Sequence, residues 1–334
     1  MKVTAALSVS PVEKTNIAGH SIYIKRDDLL NTHFSGNKAR KFAYYLQQNQ
    51  KLDNITHLVS YGSIQANSLY SLAALAYLKG WQLHYYVNRI PTWLKGSTLG
   101  NYGQAIALGT KIIELNDSIF TSMDIEPELK TENLDSIMNA YGKNLPSNKL
   151  FIPEGGRHSL AQIGINTLAQ EITDYCHSHR IFENHNPIQI MLPSGTGTTA
   201  LFLQTWFKEN NVSIEVLTCP CVGDESYLEK QFNELNSNKS HWPTILKNSK
   251  KFHFGKINQS HYQLWHQLLQ ETEIEFDLLY DPIGWQCLLE YLESDSSEKI
   301  TASSSSAIFY LHQGGLVGNQ TMLPRYKRKY PEMF

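Results

Sequence analysis

One lysine, Lys38, stands between a Ser35-Gly36-Asn37 turn and a run ending at Leu46 whose apolar residues recur at helical spacing. Ser-Gly-Asn is turn chemistry, and Gly36 can adopt backbone angles closed to other residues, so a lysine held at this junction can point inward. A lysine in a first helical turn is ordinarily a solvated charge. Four turns further along the chain give it a chemical reading. Ser194-Gly195-Thr196-Gly197-Thr198-Thr199-Ala200 follows the apolar run Pro187 to Pro193 and opens a helix. Backbone N–H groups, hydroxyls and the positive end of a helix then converge as a cradle for phosphate. Gly62-Ser63-Ile64-Gln65-Ala66-Asn67-Ser68 follows a second apolar run. There Asn67 either hydrogen-bonds a phenolate oxygen or carboxylate, or caps its helix. Gly155-Gly156 and Gly314-Gly315 permit close backbone approach or sharp turns.

A lysine before a helix, a phosphate cradle and an amide turn together suit pyridoxal 5′-phosphate, whose aldehyde takes a lysine as a Schiff base and whose pyridine ring is an electron sink. Arg40 and Lys41 stand ready as cationic neighbours, since like charge and desolvation both disfavour an ammonium. Gly195-x-Gly197-x-x-Ala200 also fits the loose dinucleotide fingerprint, with Asp224 as a ribose partner, which keeps a nicotinamide-linked dehydrogenase open. No Gly-Lys-Ser/Thr follows, so an ATP-binding loop is excluded. His312, beside an apolar strand, reads as a structural histidine.

The elements that must position these residues alternate. Ser21 to Arg26 reads as a strand, then come the Lys38 helix, the strand Ile55 to Tyr61, an alanine- and leucine-rich helix from Leu69, and the strand Gln82 to Val87. A helix Leu99 to Leu108 and the strand Lys111 to Leu115 follow, and then a polar stretch, 116 to 148, with a helix or two. The order restarts at Leu150, with a helix from Ser159 to Cys176, the strand before Ser194, a helix Leu201 to Lys208, and strands at Ile214 to Thr218, Phe276 to Leu279 and Ala307 to Leu311. Such alternation predicts parallel α/β sheets. Ser303 to Ser306 is a short low-complexity loop.

Composition narrows the partners. The 334 residues carry 29 Lys plus Arg against 31 Asp plus Glu, with no basic face interleaved with aromatics before the tail Arg325 to Lys329, which reads as a solvated helix end. No nucleic-acid partner is expected. The four cysteines, Cys176, Cys219, Cys221 and Cys287, have neither structural-zinc spacing nor the density of a disulfide scaffold, so no metal is expected and a reducing, cytoplasmic setting fits. No apolar run reaches the ~18 residues of a membrane span.

Motifs in order along most of the chain resemble the fold-type II pyridoxal-phosphate enzymes of the 1-aminocyclopropane-1-carboxylate deaminase and D-cysteine desulfhydrase family. The carriers are Ile24 to Asp28, Ser35 to Lys41, Gly62 to Asn67, Gly100-Asn101, Pro153-Glu154-Gly155-Gly156, Ser194 to Ala200 and His312-Gln313-Gly314-Gly315. The resemblance implies that Lys38 carries the cofactor, with Lys41 close by, that Asn67 bonds its ring hydroxyl, and that Gly195, Thr196, Gly197, Thr198 and Thr199 hold its phosphate. Tyr280-Asp281 is similar to the family's tyrosine followed by an acidic or hydroxyl residue, which makes Tyr280 a catalytic stacking group and Asp281 a ring-nitrogen partner, although Asp281-Pro282 also aligns with the family's Asp-Pro. Gln313 joins the cofactor set, and Ala66, Asn67 and Ser68 form the substrate set. Three departures stand out: Ala66 for a serine tied to substrate carboxylate and proton handling, Ser68 for a larger polar residue, and Gln313 for threonine.

The resemblance implies an α/β fold of two three-layer open twisted parallel-sheet domains, tryptophan-synthase-beta-like. The larger would comprise 1–41 plus 150–334 and the smaller 42–149, with the cofactor in the cleft. The expected activity is a pyridoxal-phosphate-dependent lyase or deaminase on a small amino acid, D-cysteine desulfhydrase-like, in a homodimer. The alternatives are ring opening of 1-aminocyclopropane-1-carboxylate and a binding protein that has lost catalysis.

Overall fold

A computed structural model describes residues 7–31, 33, 34, 36–47, 50–249, 252–294 and 305–334. Ser35 of the lysine turn and Ser303-Ser304 of the serine loop lie outside the described residues. Among the described residues ten strands form two sheets. Their ranges are β1 Val12–Ile17, β2 His20–Arg26, β3 His57–Tyr61, β4 Gln82–Val87, β5 Lys111–Glu114, β6 Lys149–Phe151, β7 His185–Ser194, β8 Glu215–Pro220, β9 Thr244–Ile245 and β10 Ser305–His312.

The six-stranded sheet runs β1-β2-β10-β7-β8-β9 and the four-stranded one β5-β4-β3-β6. All these pairings are parallel except the β1–β2 hairpin, whose Ala18-Gly19 turn has positive φ at both residues, as a type I′ turn requires. β6 straddles the expected domain boundary at 149/150 and pairs with β3.

Parallel strands covered on both faces need apolar residues in succession, and β7 supplies them. Successive side chains point to opposite faces, so Ile190 and Leu192 join Ile165, Leu168 and Phe202 on one side while Met191 joins Trp265, Trp285 and Leu288 on the other.

In each sheet the strand order reverses once, between β7 and β10 in the larger and between β3 and β6 in the smaller. Chains leaving two adjacent strands in opposite directions open a crevice at their carboxyl ends. The turns after these four strands are those of Ser194, Gln313, Gly62 and Glu154, so the topology brings all four sequence-predicted turns together.

Phe276 to Leu279 is not the strand expected from its apolar residues but an irregular turn. Asp277 Oδ1 accepts the N–H groups of Leu279 and Tyr280, and Asn319 Oδ1 accepts that of Leu278, so side chains take the backbone donors a ladder would need.

Candidate active site

Lys38 lies on a short helix, Gly36–Lys41. Its direction follows from helical spacing, because residues two apart lie about 200° round the axis and residues three apart return to within about 60°. Lys38 and Lys41 therefore share the cleft side and Arg40 points away. Arg40 is buried in an ion cluster with Asp27 at 2.9 Å and Glu171 at 2.7 Å, and Lys25 also meets Glu171 at 2.7 Å. Of the two cations expected beside Lys38, Lys41 is in place and Arg40 is not; Arg40 instead clamps the helix to the larger sheet.

The helix start is fixed by Gly36, whose φ of +61° is left-handed and whose Cα faces the Gln313 carbonyl so closely that an added Cβ would lie 1.5 Å from its oxygen. Asn37 Nδ2 donates to Gln313 Oε1 at 2.8 Å, and Lys38 Nζ donates to Asn37 Oδ1 at 3.0 Å. Lys38 is half-buried at the cleft, and burial lowers its amine to about 8 against the opposing pull of Asp277 and Glu154. Burial lowers Lys41 well below the ordinary lysine range, with Lys38 adding to it, and its Nζ donates to the Gly155 carbonyl at 2.9 Å.

Gly195, Thr196, Gly197, Thr198 and Thr199 line the same cleft as Lys38 and Lys41. The helix Thr198–Glu209 begins here, so its positive end lies at the cleft that Lys38 and Lys41 also line. Thr196 and Thr198 share a hydroxyl contact at 3.0 Å, while the buried Thr199 Oγ1 has no hydrogen-bond partner among the described residues. A buried hydroxyl without a partner costs roughly 1–3 kcal/mol, so this cradle is built for an acceptor. With a cationic or amine group at its mouth, the donor set fits a phosphate.

Ala66, Asn67 and Ser68 form another wall. Ala66 is the N-cap of the helix Asn67–Lys79 and leaves it without a side-chain cap. Asn67 is held at both ends: its Nδ2 donates to Asp277 Oδ2 at 3.4 Å and its Oδ1 accepts from Asn101 at 2.9 Å. Neither Asn101 nor Asp277 follows from the sequence motifs as a site residue; the one signal is Gly100-Asn101 standing among the family-like motifs. Burial raises Asp277 to about 6, against several N–H donors.

Tyr280 and Asp281 both line the cleft. Burial keeps the Tyr280 phenol protonated, and its ring stands 3.5 Å from where a Cβ on Gly195 would be. Asp281 Oδ1 accepts from the Tyr310 hydroxyl at 2.7 Å and its Oδ2 from the Asp277 N–H at 2.9 Å; burial lifts this carboxyl well above the usual range. Gln313 is used at both ends, its Nε2 donating to the Pro193 carbonyl at 2.6 Å. His312 is buried and structural: Nδ1 accepts from Gly314 N–H at 3.2 Å, which leaves Nε2 to donate to the Glu275 carbonyl at 2.8 Å.

Two residues outside these predictions complete the surroundings. Glu154 lines the cleft and accepts from Ser63 N–H at 3.3 Å. Arg325, expected as part of a solvated tail, instead donates to Gln65 Oε1 at 3.4 Å and the Gly255 carbonyl at 2.8 Å, and lies over the Trp93 ring. Asp224, the ribose partner of the dinucleotide reading, caps the helix Glu225–Leu235 by accepting from Tyr227 N–H at 3.0 Å. No helix among the described residues is long and apolar enough to cross a membrane.

Two parallel sheets facing a lysine-bearing cleft define a fold-type II architecture. A crystal structure described as an ACC deaminase homologue superposes with a TM-score of 0.70 at 21% identity, covering 99% of this chain and 96% of that one. A Thermotoga maritima protein described as a candidate 1-aminocyclopropane-1-carboxylate deaminase is 27% identical over 221 residues, 64% of this chain. The chain thus spans just under two thirds of that relative, 64% of its length. A rice protein described as a candidate mitochondrial D-cysteine desulfhydrase 2 is 23% identical over 92% of this chain and 80% of its own length. No family model matches the chain. By these likenesses the chain is similar in sequence to proteins described as a 1-aminocyclopropane-1-carboxylate deaminase and a D-cysteine desulfhydrase, and shares its fold with an ACC deaminase homologue.

Proposed function

We propose that this chain is a pyridoxal-phosphate-dependent lyase or deaminase acting on a small amino acid, of the D-cysteine desulfhydrase type, yielding a keto acid, ammonia and sulfide. The observation that carries this reading is the Lys38 amine, lowered to about 8, in one cleft with a threonine-rich cradle whose buried Thr199 hydroxyl has no partner among the described residues. Lys38 would hold the cofactor, Thr196, Thr198, Thr199 and the Gly195 and Gly197 backbone its phosphate, and Asn67 its ring hydroxyl, with Lys41 balancing charge. Asp281 and Gln313 would border the ring. When bound, pyridoxal phosphate supplies an electron-withdrawing ring that accepts the electron pair of the substrate's α-carbon.

The residues divide the remaining work. An amine that titrates near 8 is largely able to shed its proton at mildly alkaline pH, so Lys38 Nζ can take and return the α-proton. Asn101 and Asp277 keep the Asn67 amide from rotating. Tyr280, protonated, forms a wall that stacks without adding charge. Ala66, Asn67 and Ser68 receive the substrate's carboxylate. The division into a larger domain, 1–41 plus 150–334, and a smaller one, 42–149, belongs to this proposal and is supported by the separate sheets flanking the cleft. So do a cytoplasmic setting, favoured by four buried free thiols, and a homodimer, which sedimentation would test.

The test is to add pyridoxal phosphate to the wild type and to Lys38→Ala. The wild type is expected to gain a stable visible absorbance that the variant lacks; a wild type that stays colourless refutes the proposal. Sulfide and ammonia release from D- and L-cysteine, compared with 2-oxobutanoate from 1-aminocyclopropane-1-carboxylate, then distinguishes desulfhydrase from ring-opening activity. Bound cofactor without turnover of any amino acid identifies a binder that has lost catalysis.

A further inference from the structure

Three carboxyl groups stand around the cleft, and two are used within the protein. Asp281 accepts from Tyr310 and from the Asp277 N–H, and Asp277 accepts from Leu279, Tyr280 and Asn67. Glu154 differs. One oxygen accepts from Ser63 N–H at 3.3 Å, and the other makes no hydrogen bond or ion pair among the described residues, although the side chain lines the cleft.

Its cationic neighbours do not satisfy it. Arg157, three residues on, is held by Asp135 at 2.7 Å and Glu234 at 2.8 Å. Lys38 exerts an electrostatic pull on Glu154 but is the amine that cofactor binding would occupy. With Lys38 so engaged, the half-buried carboxyl keeps one free oxygen in the cleft, where partial burial already raises its proton affinity. A half-buried carboxylate with a free oxygen is stabilised by a cation or a strong donor that a ligand brings as it displaces water. Ala66, which also lines the cleft, adds no side-chain polar atom to compete.

We infer that Glu154 is a specificity-determining residue, whose free carboxyl oxygen receives a second ammonium group on the side chain of the bound amino acid. The pocket thereby selects short diamino acids over neutral ones and rejects side-chain carboxylates. The inference rests on the pyridoxal-phosphate reading above and names the substrate class of that same site.

The experiment reads binding rather than turnover. Cofactor-loaded wild type, Glu154→Gln and Glu154→Ala are titrated with the D and L forms of 2,3-diaminopropionate, serine, alanine and aspartate, and dissociation constants are taken from the change in cofactor absorbance. A charge-assisted hydrogen bond predicts that the wild type holds the better diaminopropionate enantiomer about tenfold or more tighter than alanine, with serine between and aspartate weakest. Both variants are expected to lose most of that ratio and to gain affinity for aspartate. Thermal unfolding and retained cofactor absorbance certify that each variant is folded. If the ratio is the same in wild type and both variants, or aspartate binds the wild type as well as alanine does, the inference is overturned while the cofactor reading stands. A wild type that acquires no cofactor absorbance overturns both.

Discussion

Replacing Gly36 by alanine tests how the lysine helix is seated. Two costs are separable. The first is strain: φ at Gly36 is +61°, and an L-residue in the left-handed region costs roughly 1–2 kcal/mol. The second is collision, because the new Cβ would sit 1.5 Å from the Gln313 oxygen and 2.0 Å from its carbon, both backbone atoms at the end of β10. Relieving it means moving the helix or the strand end, which costs about 1–3 kcal/mol as overpacking. The Asn37 N–H to Gln313 carbonyl bond, 3.3 Å long, would go too, at about 1 kcal/mol. Gly80 is the control. Its φ is +69° and nothing lies within 4 Å of an added Cβ, so Gly80→Ala carries the strain alone. The difference between the two variants should be about 2–4 kcal/mol, or on the order of 1 M in urea midpoint at a slope of ~3 kcal/mol per M. Gly36→Ala should also weaken cofactor retention, since Lys38 is two residues away, while Gly80→Ala should not. Equal urea midpoints for the two variants would refute the account of a helix seated against the Gln313 backbone.

Two further outcomes follow from the site. Ala66→Ser supplies the side-chain cap that the helix Asn67–Lys79 lacks and should raise stability by about 1 kcal/mol in urea unfolding. It also returns a hydroxyl to the substrate wall, so kcat/KM for the preferred amino acid should rise; added stability with unchanged kcat/KM would limit the position to capping. Lys38 gives the cofactor-free protein a pH signature. Its folded value of about 8 lies below the ordinary 10.5, so between these values the unfolded chain binds one more proton than the folded one. Stability should therefore rise with pH across that window, with little slope from this group below pH 8, and Lys38→Met should make the rise shallower, leaving the share that the lowered Lys41 contributes.

The local pattern determined much of this protein by itself. Apolar runs alternating with helical spacing determined the parallel strands and the helices after them, because burial on both faces leaves its mark in each stretch independently. Gly36 and the glycine-threonine turn at 195 to 199 announced their backbone chemistry in residue type. Helical spacing also separates Lys38 and Lys41 from Arg40, so which side Arg40 takes is legible in the sequence. Other features only the tertiary structure decided. Phe276 to Leu279 has strand composition, yet Asp277 and Asn319 claim its N–H groups, and one of those partners is more than forty residues away. Asn101 becomes a site residue only because it meets Asn67, and Arg325 leaves solvent only because Gln65, Gly255 and Trp93 converge on it. Glu154 acquires its one free oxygen in the same way. A strand or turn is set by neighbours along the chain, whereas which side chains meet at a strand's end is set by the order in which the strands pack, and no single stretch of residues records that order.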